Sequence, residues 1–157
     1  FDSLTVGGNV AFPLRESGWK DEKLIAARVA EALEIVHLSG EQDKLPPDLS
    51  GGMRKRAALA RAIAHKPRCV LFDEPHTGLD PINAGSIDHL IKDLQIKQGV
   101  TNVVITHELR SVFRIADRVA FLDEGRVYWT GTPDDLRETT DPKLRAFIEG
   151  ESGEDWQ

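Results

Sequence analysis

Two short apolar runs, each followed by polar residues, constrain the fold of this chain more than any other feature. Residues 69–72 are continuously apolar, as in a strand buried within a parallel sheet, and Asp73 and Glu74 follow them. A second apolar strand, residues 101–106, ends in His107. Open α/β sheets bind ligands beyond the carboxyl ends of their strands. The two acids and the histidine therefore predict a site that hydrolyses a phosphate ester.

The adjacent carboxylates of Asp73 and Glu74 can perform different tasks, because successive side chains of a strand point to opposite sides. One carboxylate can hold the water shell of a Mg²⁺ ion. The other can orient and deprotonate an attacking water molecule. The alternative interpretation of Glu74 is a solvated charge at the end of a strand.

A serine and two glycines begin the helix that precedes the first apolar run. Ser50, Gly51 and Gly52 come directly before a helical pattern whose apolar face includes Met53 and Ala60. Glycines leave the N–H groups of the first turn accessible, and the helix dipole favours an anion there. The segment is therefore a candidate phosphate site, and an ordinary serine N-cap on a buried helix is the alternative.

Capping residues and apolar periodicity predict the other elements. Residues 21–36 form an amphipathic pattern with Arg28 off its apolar face, and Asp80-Pro81 begins a further helix that Gly99 ends. The later pattern predicts a helix over residues 109–116, a hairpin over 118–129, and short helices that open at Thr132-Pro133 and Asp141-Pro142.

The order of these motifs resembles the ATP-binding-cassette (ABC) ATPases. The family's signature motif is matched by Leu49-Ser50-Gly51-Gly52, and its Walker B strand by Val70-Leu71-Phe72-Asp73. Glu74 takes the position of the general base. The D-loop is matched by His76-Thr77-Gly78-Leu79-Asp80, and the switch histidine by Thr106-His107. The resemblance runs from Phe1 to about Gly150 and implies the nucleotide-binding domain of an ATPase that uses ATP and Mg²⁺.

The resemblance also implies a role for each residue of the signature and Walker B motifs. Ser50, Gly51 and Gly52 would contact the γ-phosphate of a nucleotide that a second, facing ATPase domain holds. Asp73 would bind Mg²⁺ through water, and Glu74 would polarise the attacking water.

The same resemblance implies roles for three further residues. His107 would contact the γ-phosphate, and Asp80 would cross the dimer interface while capping the helix at Pro81. His76, within the D-loop region, is expected to line that interface. The cations of residues 54–56 are interpreted as a solvated face or an electrostatic aid near the phosphate.

One part of the family pattern is absent from the sequence. No G-x-x-x-x-G-K-[ST] motif occurs among the 157 residues, so the chain carries no phosphate-binding P-loop. We therefore expect it to be the C-terminal part of a longer protein and to be inactive by itself. In the resembled fold the P-loop strand lies between the strand that ends near His107 and the strand at residues 118–122.

The expected fold class is α/β, the C-terminal portion of a P-loop NTPase (RecA-like) ABC nucleotide-binding domain with its helical subdomain. Residues 1–65 are expected to form the signature-bearing helical subdomain. Residues 66–150 would form the C-terminal half of the RecA-like core, and residues 151–157 a disordered tail.

Composition limits the partners and the compartment. A net charge of −6 and a pI near 5.4 argue against a nucleic-acid surface. The sequence has no apolar run long enough to span a bilayer, and its first residues do not resemble a signal peptide. The single cysteine, Cys69, is expected to be a buried structural residue. These features favour a cytoplasmic location, and the family resemblance implies that the protein is peripheral on the inner face of the cell membrane.

Within the family, the sequence around Met53 and the segment from Gly78 to Ile82 resemble the phospholipid-transport ATPases of the Mce or Mla kind. The chain is thus expected to be the ATPase subunit of a lipid transporter, a homodimer that binds integral-membrane permease subunits. The alternatives are a soluble ABC ATPase of translation or DNA repair, and an interaction fragment that binds no nucleotide.

Overall fold

The computed structural model describes residues 1–150, and the predicted disordered tail lies outside this range. Within this range the chain divides into two compact units, Phe1–Ile105 and residues 106–150. The expected boundary between residues 65 and 66 falls inside the first unit and stays a prediction about the subdomains.

Three helices pack on one another at the start of the first unit: α1 (Val6–Glu16), α2 (Glu22–Ile35) and α3 (Gly51–Ile63). Asp21 caps α2 by accepting hydrogen bonds from the N–H groups of Lys23 and Leu24, which satisfies donors that the first turn leaves free. The core between the three helices is apolar and includes Val10, Leu14, Ile25, Leu33, Leu59 and Ile63.

Arg28 corrects the prediction for α2, because it is buried and not on the solvated face. Its Nε donates to Ala64 O at 2.7 Å and its Nη2 to Ile63 O at 2.6 Å. Nη1 lies 2.7 Å from the Glu31 carboxylate. The guanidinium thus satisfies carbonyls at the end of α3, where the helix has no backbone donors left for them.

A parallel β–α–β unit completes the first unit, formed by β1 (Cys69–Asp73), α4 (Pro81–Gln98) and β2 (Thr101–Ile105). The prediction for α4 is confirmed, with Asp80 as N-cap, Gly99 in the left-handed conformation after the last turn, and a buried apolar stripe. The pairing register places Asp73 opposite Ile105, so both strands end at the same edge.

The apolar run of β1 is less buried than the sequence predicts. Leu71 is 76% exposed, Cys69 is also exposed, and on β2 Ile105 is 56% exposed. Among residues 1–150, β1 and β2 pair only with each other, and the exposure of Leu71 and Ile105 shows that the faces of this two-stranded sheet are partly uncovered. The prediction of a buried Cys69 was therefore wrong in this structure, since an apolar run marks a strand but not what covers it.

The second unit contains a short helix, an antiparallel hairpin and two further helices: α5 (Leu109–Ile115), β3 (Val119–Asp123), β4 (Arg126–Gly131), α6 (Pro133–Arg137) and α7 (Pro142–Glu149). Glu124 and Gly125 adopt positive φ at the tight turn between the strands. Phe121 packs edge-on against both Tyr128 and Phe147, which joins the hairpin to α7. Within residues 1–150, no helix has the length and apolar character needed to cross a membrane.

We predict that the isolated chain self-associates through the exposed strands β1 and β2. Unpaired strand edges and exposed apolar side chains favour pairing with a second copy or aggregation. Sedimentation should show species larger than a monomer, and Leu71→Lys should reduce them. Leu24→Lys changes an exposed leucine of α2 and should leave the association unchanged. A monodisperse monomer, with the amides of β1 and β2 uniformly protected from hydrogen exchange, would contradict the prediction.

Candidate functional site

The start of α3 presents the expected serine and glycines. Ser50 is the N-cap, and its Oγ accepts a hydrogen bond from the N–H of Met53 at 3.3 Å. Ser50 and Gly51 are exposed, whereas Gly52 is buried. A helix N-terminus with an exposed glycine can bring backbone donors against an anion, so the geometry suits phosphate. The N-cap and the phosphate interpretations are compatible.

Gly52 is closely approached by Asn83 from the first turn of α4. A Cβ atom at Gly52 would lie 2.8 Å from Asn83 Oδ1, whereas one at Gly51 would meet nothing within 4 Å. The two glycines therefore differ in function: Gly51 leaves the helix end open, and Gly52 allows α4 to approach.

Asp80 caps α4 and is tied to the same asparagine. Its carboxylate accepts hydrogen bonds from the N–H groups of Ile82 at 3.0 Å and Asn83 at 3.1 Å, and from the Asn83 side chain. The Asn83 side-chain hydrogen bond, followed by the backbone ones, holds the pKa of Asp80 below its usual value. Asn83 thus connects the exposed carboxylate of Asp80 with the start of α3.

Asp73 and Glu74 lie at the carboxyl end of β1. Asp73 is exposed, and the N–H of Glu74 donates to Ile105 O at 2.9 Å, which extends the pairing with β2 by one residue. Glu74 then adopts φ of 45°, a left-handed conformation that is uncommon for a residue with a side chain. The chain therefore turns at Glu74. Asp73 belongs to the strand, whereas Glu74 belongs to the turn that follows it.

Lys55 connects the helix start to the strand end. Its Nζ donates to the backbone carbonyl of Glu74 at 3.3 Å, from the second turn of α3. The sequence analysis assigned this lysine to a solvated face or to an electrostatic aid near the phosphate. The structure shows that it also links α3 to the backbone at the end of β1. The residues Ser50, Gly51, Gly52, Asp73, Glu74 and Asp80 all belong to the first unit.

His107 belongs to the second unit, in the segment between β2 and α5. The residue is exposed. Just beside it, the N–H of Glu108 donates to Thr106 Oγ1 at 3.0 Å, so the hydroxyl shapes the turn that carries the histidine. The assigned roles of His107 and of the six residues in the first unit stay predictions.

His76 is buried inside the first unit, only 7% exposed, and its expected place at a dimer interface stays a prediction. Its Nε2 lies 2.8 Å from Oδ1 of Asp88 on α4, and Asp88 is 1% exposed. Sequence reasoning missed this pair. A signal existed, since Asp88 precedes Ile91 by one helical turn and so shares the buried face of α4.

Different residues of the described chain could hold Mg²⁺ and the phosphates of a nucleotide. No cluster of three or more metal-ligating His, Cys, Asp or Glu residues occurs within residues 1–150. Mg²⁺ keeps several waters and uses one or two carboxylates together with substrate phosphates. The exposed carboxylate of Asp73 fits that need, and the start of α3 fits a phosphate.

We predict that Gly52→Ala destabilises the protein and Gly51→Ala does not. The new methyl group at Gly52 must displace Asn83, and overpacking a buried site costs about 1–3 kcal/mol of unfolding free energy. Denaturant unfolding of both variants checks this. Asn83→Ala combined with Gly52→Ala should recover stability relative to Gly52→Ala alone. Equal stabilities of the two single variants would refute the close approach.

Comparisons with known proteins agree with the motifs. The ABC transporter family profile matches residues 1–77. The methionine import ATP-binding protein MetN of Carboxydothermus hydrogenoformans is 47% identical over 135 residues, which cover 86% of this chain and 40% of MetN. The intermembrane phospholipid transport ATP-binding protein MlaF of Haemophilus influenzae is 42% identical over 152 residues, which cover 97% of this chain and 58% of MlaF. The chain thus spans about half the length of these relatives.

A solved structure supports the same assignment. The ATP-binding cassette MJ0796, a dimer in a post-hydrolysis state bound to ADP and Pi, superposes with a TM-score of 0.74 at 31% identity. The match covers 85% of this chain and 58% of the cassette chain. The expected fold class, the C-terminal portion of a P-loop NTPase cassette, is confirmed. The chain therefore belongs to the family of ABC transporter ATP-binding proteins.

Proposed function

We propose that this chain is the C-terminal part of the ATP-hydrolysing subunit of an ABC transporter. The observation that carries the proposal is the arrangement around α3: the signature glycines begin the helix, and Lys55 of the same helix contacts the carbonyl of Glu74. The proposed phosphate-binding helix start and the candidate general base are thereby connected through one helix. The relatives that match the chain carry transporter names.

In the proposed reaction, the start of α3 stabilises the γ-phosphate of an ATP molecule held by a second cassette. The N–H groups of Gly51 and Gly52 and the helix dipole provide this stabilisation without a charged side chain. Glu74 orients the attacking water and accepts its proton, which requires the carboxylate to be ionised. Glu74 stands where the chain leaves the line of β1, with a left-handed backbone conformation.

The other site residues receive supporting roles. Asp73 would hold Mg²⁺ through water, and the ion, when bound, would neutralise charge that develops on the phosphate oxygens. His107 would contact the γ-phosphate from the segment after β2. Asp80 would contact the facing cassette through its exposed carboxylate, whose pKa the hydrogen bond from the Asn83 side chain holds below its usual value.

The proposed assembly is a homodimer of cassettes bound to integral-membrane permease subunits, on the cytoplasmic face of the membrane. The similar MJ0796 structure is a dimer with ADP and Pi, which supports both the dimer and the use of ATP. The acidic net charge of −6 supports the proposal that the chain does not bind nucleic acid.

We propose phospholipid as the transported substrate. The match to the phospholipid-transport relative extends over 97% of this chain, and the matches to methionine-import relatives extend over 84% to 94% of it. Methionine is the second candidate, because MetN has the higher identity of the two, 47% against 42%.

We predict that Glu74→Gln in the complete cassette retains ATP binding and lowers kcat by about 10²- to 10⁴-fold, because the amide keeps the shape but accepts no proton. The variant should accumulate as an ATP-bound dimer in size-exclusion chromatography. Phosphate release under saturating ATP and Mg²⁺ measures kcat.

Glu124→Gln is the matched control for this variant. Glu124 also has φ of 45°, but it lies in the hairpin turn of the second unit. The kcat of the Glu124→Gln variant should therefore equal that of the unaltered protein. The chain of 157 residues alone should release no phosphate, because it has no P-loop. Turnover by Glu74→Gln at the original rate would exclude Glu74 as the base.

The substrate is tested with the complete transporter in proteoliposomes. We predict ATP-dependent movement of labelled phospholipid between donor and acceptor membranes and no accumulation of labelled methionine. The transporter with Glu74→Gln serves as the inactive control for both assays. Accumulation of methionine without lipid movement would replace the phospholipid assignment with methionine import.

A further inference from the structure

The segment between β1 and α4 carries both Glu74 and Asp80, and backbone hydrogen bonds within it form its turns. The N–H of Thr77 donates to Glu74 O at 3.3 Å, and the N–H of Leu79 donates to His76 O at 3.1 Å. Gly78 adopts φ of 76°, so the segment consists of consecutive tight turns. Thr77 and Gly78 are exposed, whereas His76 points into the protein.

His76 anchors this segment to α4. A carboxylate only accepts hydrogen bonds, so the 2.8 Å contact with Asp88 Oδ1 places the hydrogen on Nε2 of His76. Both side chains are nearly inaccessible to water, at 7% and 1% exposure. A hydrogen bond between buried polar groups is retained strongly, because breaking it leaves desolvated groups behind.

The anchor lies close in sequence to the two residues whose orientation matters for the proposed reaction. Glu74 precedes His76 by two positions and has an unfavourable left-handed backbone, which persists only when the surrounding structure fixes it. Asp80 begins α4, the helix that also carries Asp88 two turns later. The hydrogen bond between His76 and Asp88 thus joins helix α4 to the turn that follows Glu74, the proposed base.

We infer that His76 and Asp88 form a positioning pair that holds Glu74 in its orientation for ATP hydrolysis, an inference that rests on the proposed function. Neither residue touches the nucleotide in this assignment. The pair acts by fixing the turn that follows Glu74, and it thereby restrains the path that the chain takes from Glu74 to Asp80.

The test uses the complete cassette with Mg²⁺ and ATP. His76→Leu removes the hydrogen bond and keeps an apolar side chain in the buried site. We expect kcat to fall by roughly 10- to 100-fold, since a small displacement of a catalytic group has a cost of this order. The KM for ATP should stay within about twofold, because the start of α3 and the P-loop hold the nucleotide. His76→Gln can place an amide donor towards Asp88 and should recover most of kcat.

Two control variants separate positioning from general stability. Leu90→Ala removes a buried side chain from the same helix and should lower the melting temperature without changing kcat at 25 °C. His89→Leu changes the exposed neighbouring histidine of α4 and should change neither. If Leu90→Ala lowers kcat as much as His76→Leu does, or if His76→Leu leaves kcat unchanged, the inference is overturned.

Hydrogen exchange provides a second readout that does not require activity. In His76→Leu the amides of Thr77 and Leu79 should exchange at least tenfold faster than in Leu90→Ala, because their turns lose the anchor. Unchanged exchange of both amides would overturn the inference by itself. If exchange rises as expected while the unaltered complete cassette fails to hydrolyse ATP, the pair still holds the turn and the proposed function is what fails.

Discussion

The parallel pairing of β1 with β2 is the interaction on which the candidate site depends. The register sets Asp73 beside Ile105, and the next hydrogen bond, from Glu74 N–H to Ile105 O, fixes where the strand ends. The turn at Glu74 begins at that point. A shift of the register by one residue would exchange the faces on which the two strand-end acids lie.

Helix α4 is the common support for the other parts of the site. Its N-cap is Asp80, its first turn places Asn83 against Gly52, and its third turn presents Asp88 to His76. The start of α3 and the turn after β1 are therefore both held by one helix, although they lie far apart in sequence. Such sharing couples a change at one of these points to the others.

Much of the local structure was predictable because short-range chemistry determines it. Asp80-Pro81 and Gly99 mark the ends of α4, the apolar runs mark β1 and β2, and Ser50 marks the start of α3. Spacing of motifs along the chain also identified the family and a set of candidate site residues. The predicted burial of Cys69 and the predicted exposure of Arg28 were wrong, and the burial of His76 was not foreseen, since burial depends on elements distant in sequence.

The sequence by itself determined where the helices and strands begin and end, because capping, turning and strand formation involve neighbouring residues. Only the tertiary structure decided the contacts across elements: Asn83 against Gly52, Lys55 on the carbonyl of Glu74, and His76 with Asp88. Those contacts depend on how helices and strands pack, and side-chain periodicity along one element does not specify its partner on another. The physical reason is that capping is local, whereas close packing is satisfied by whichever side chains the fold brings together.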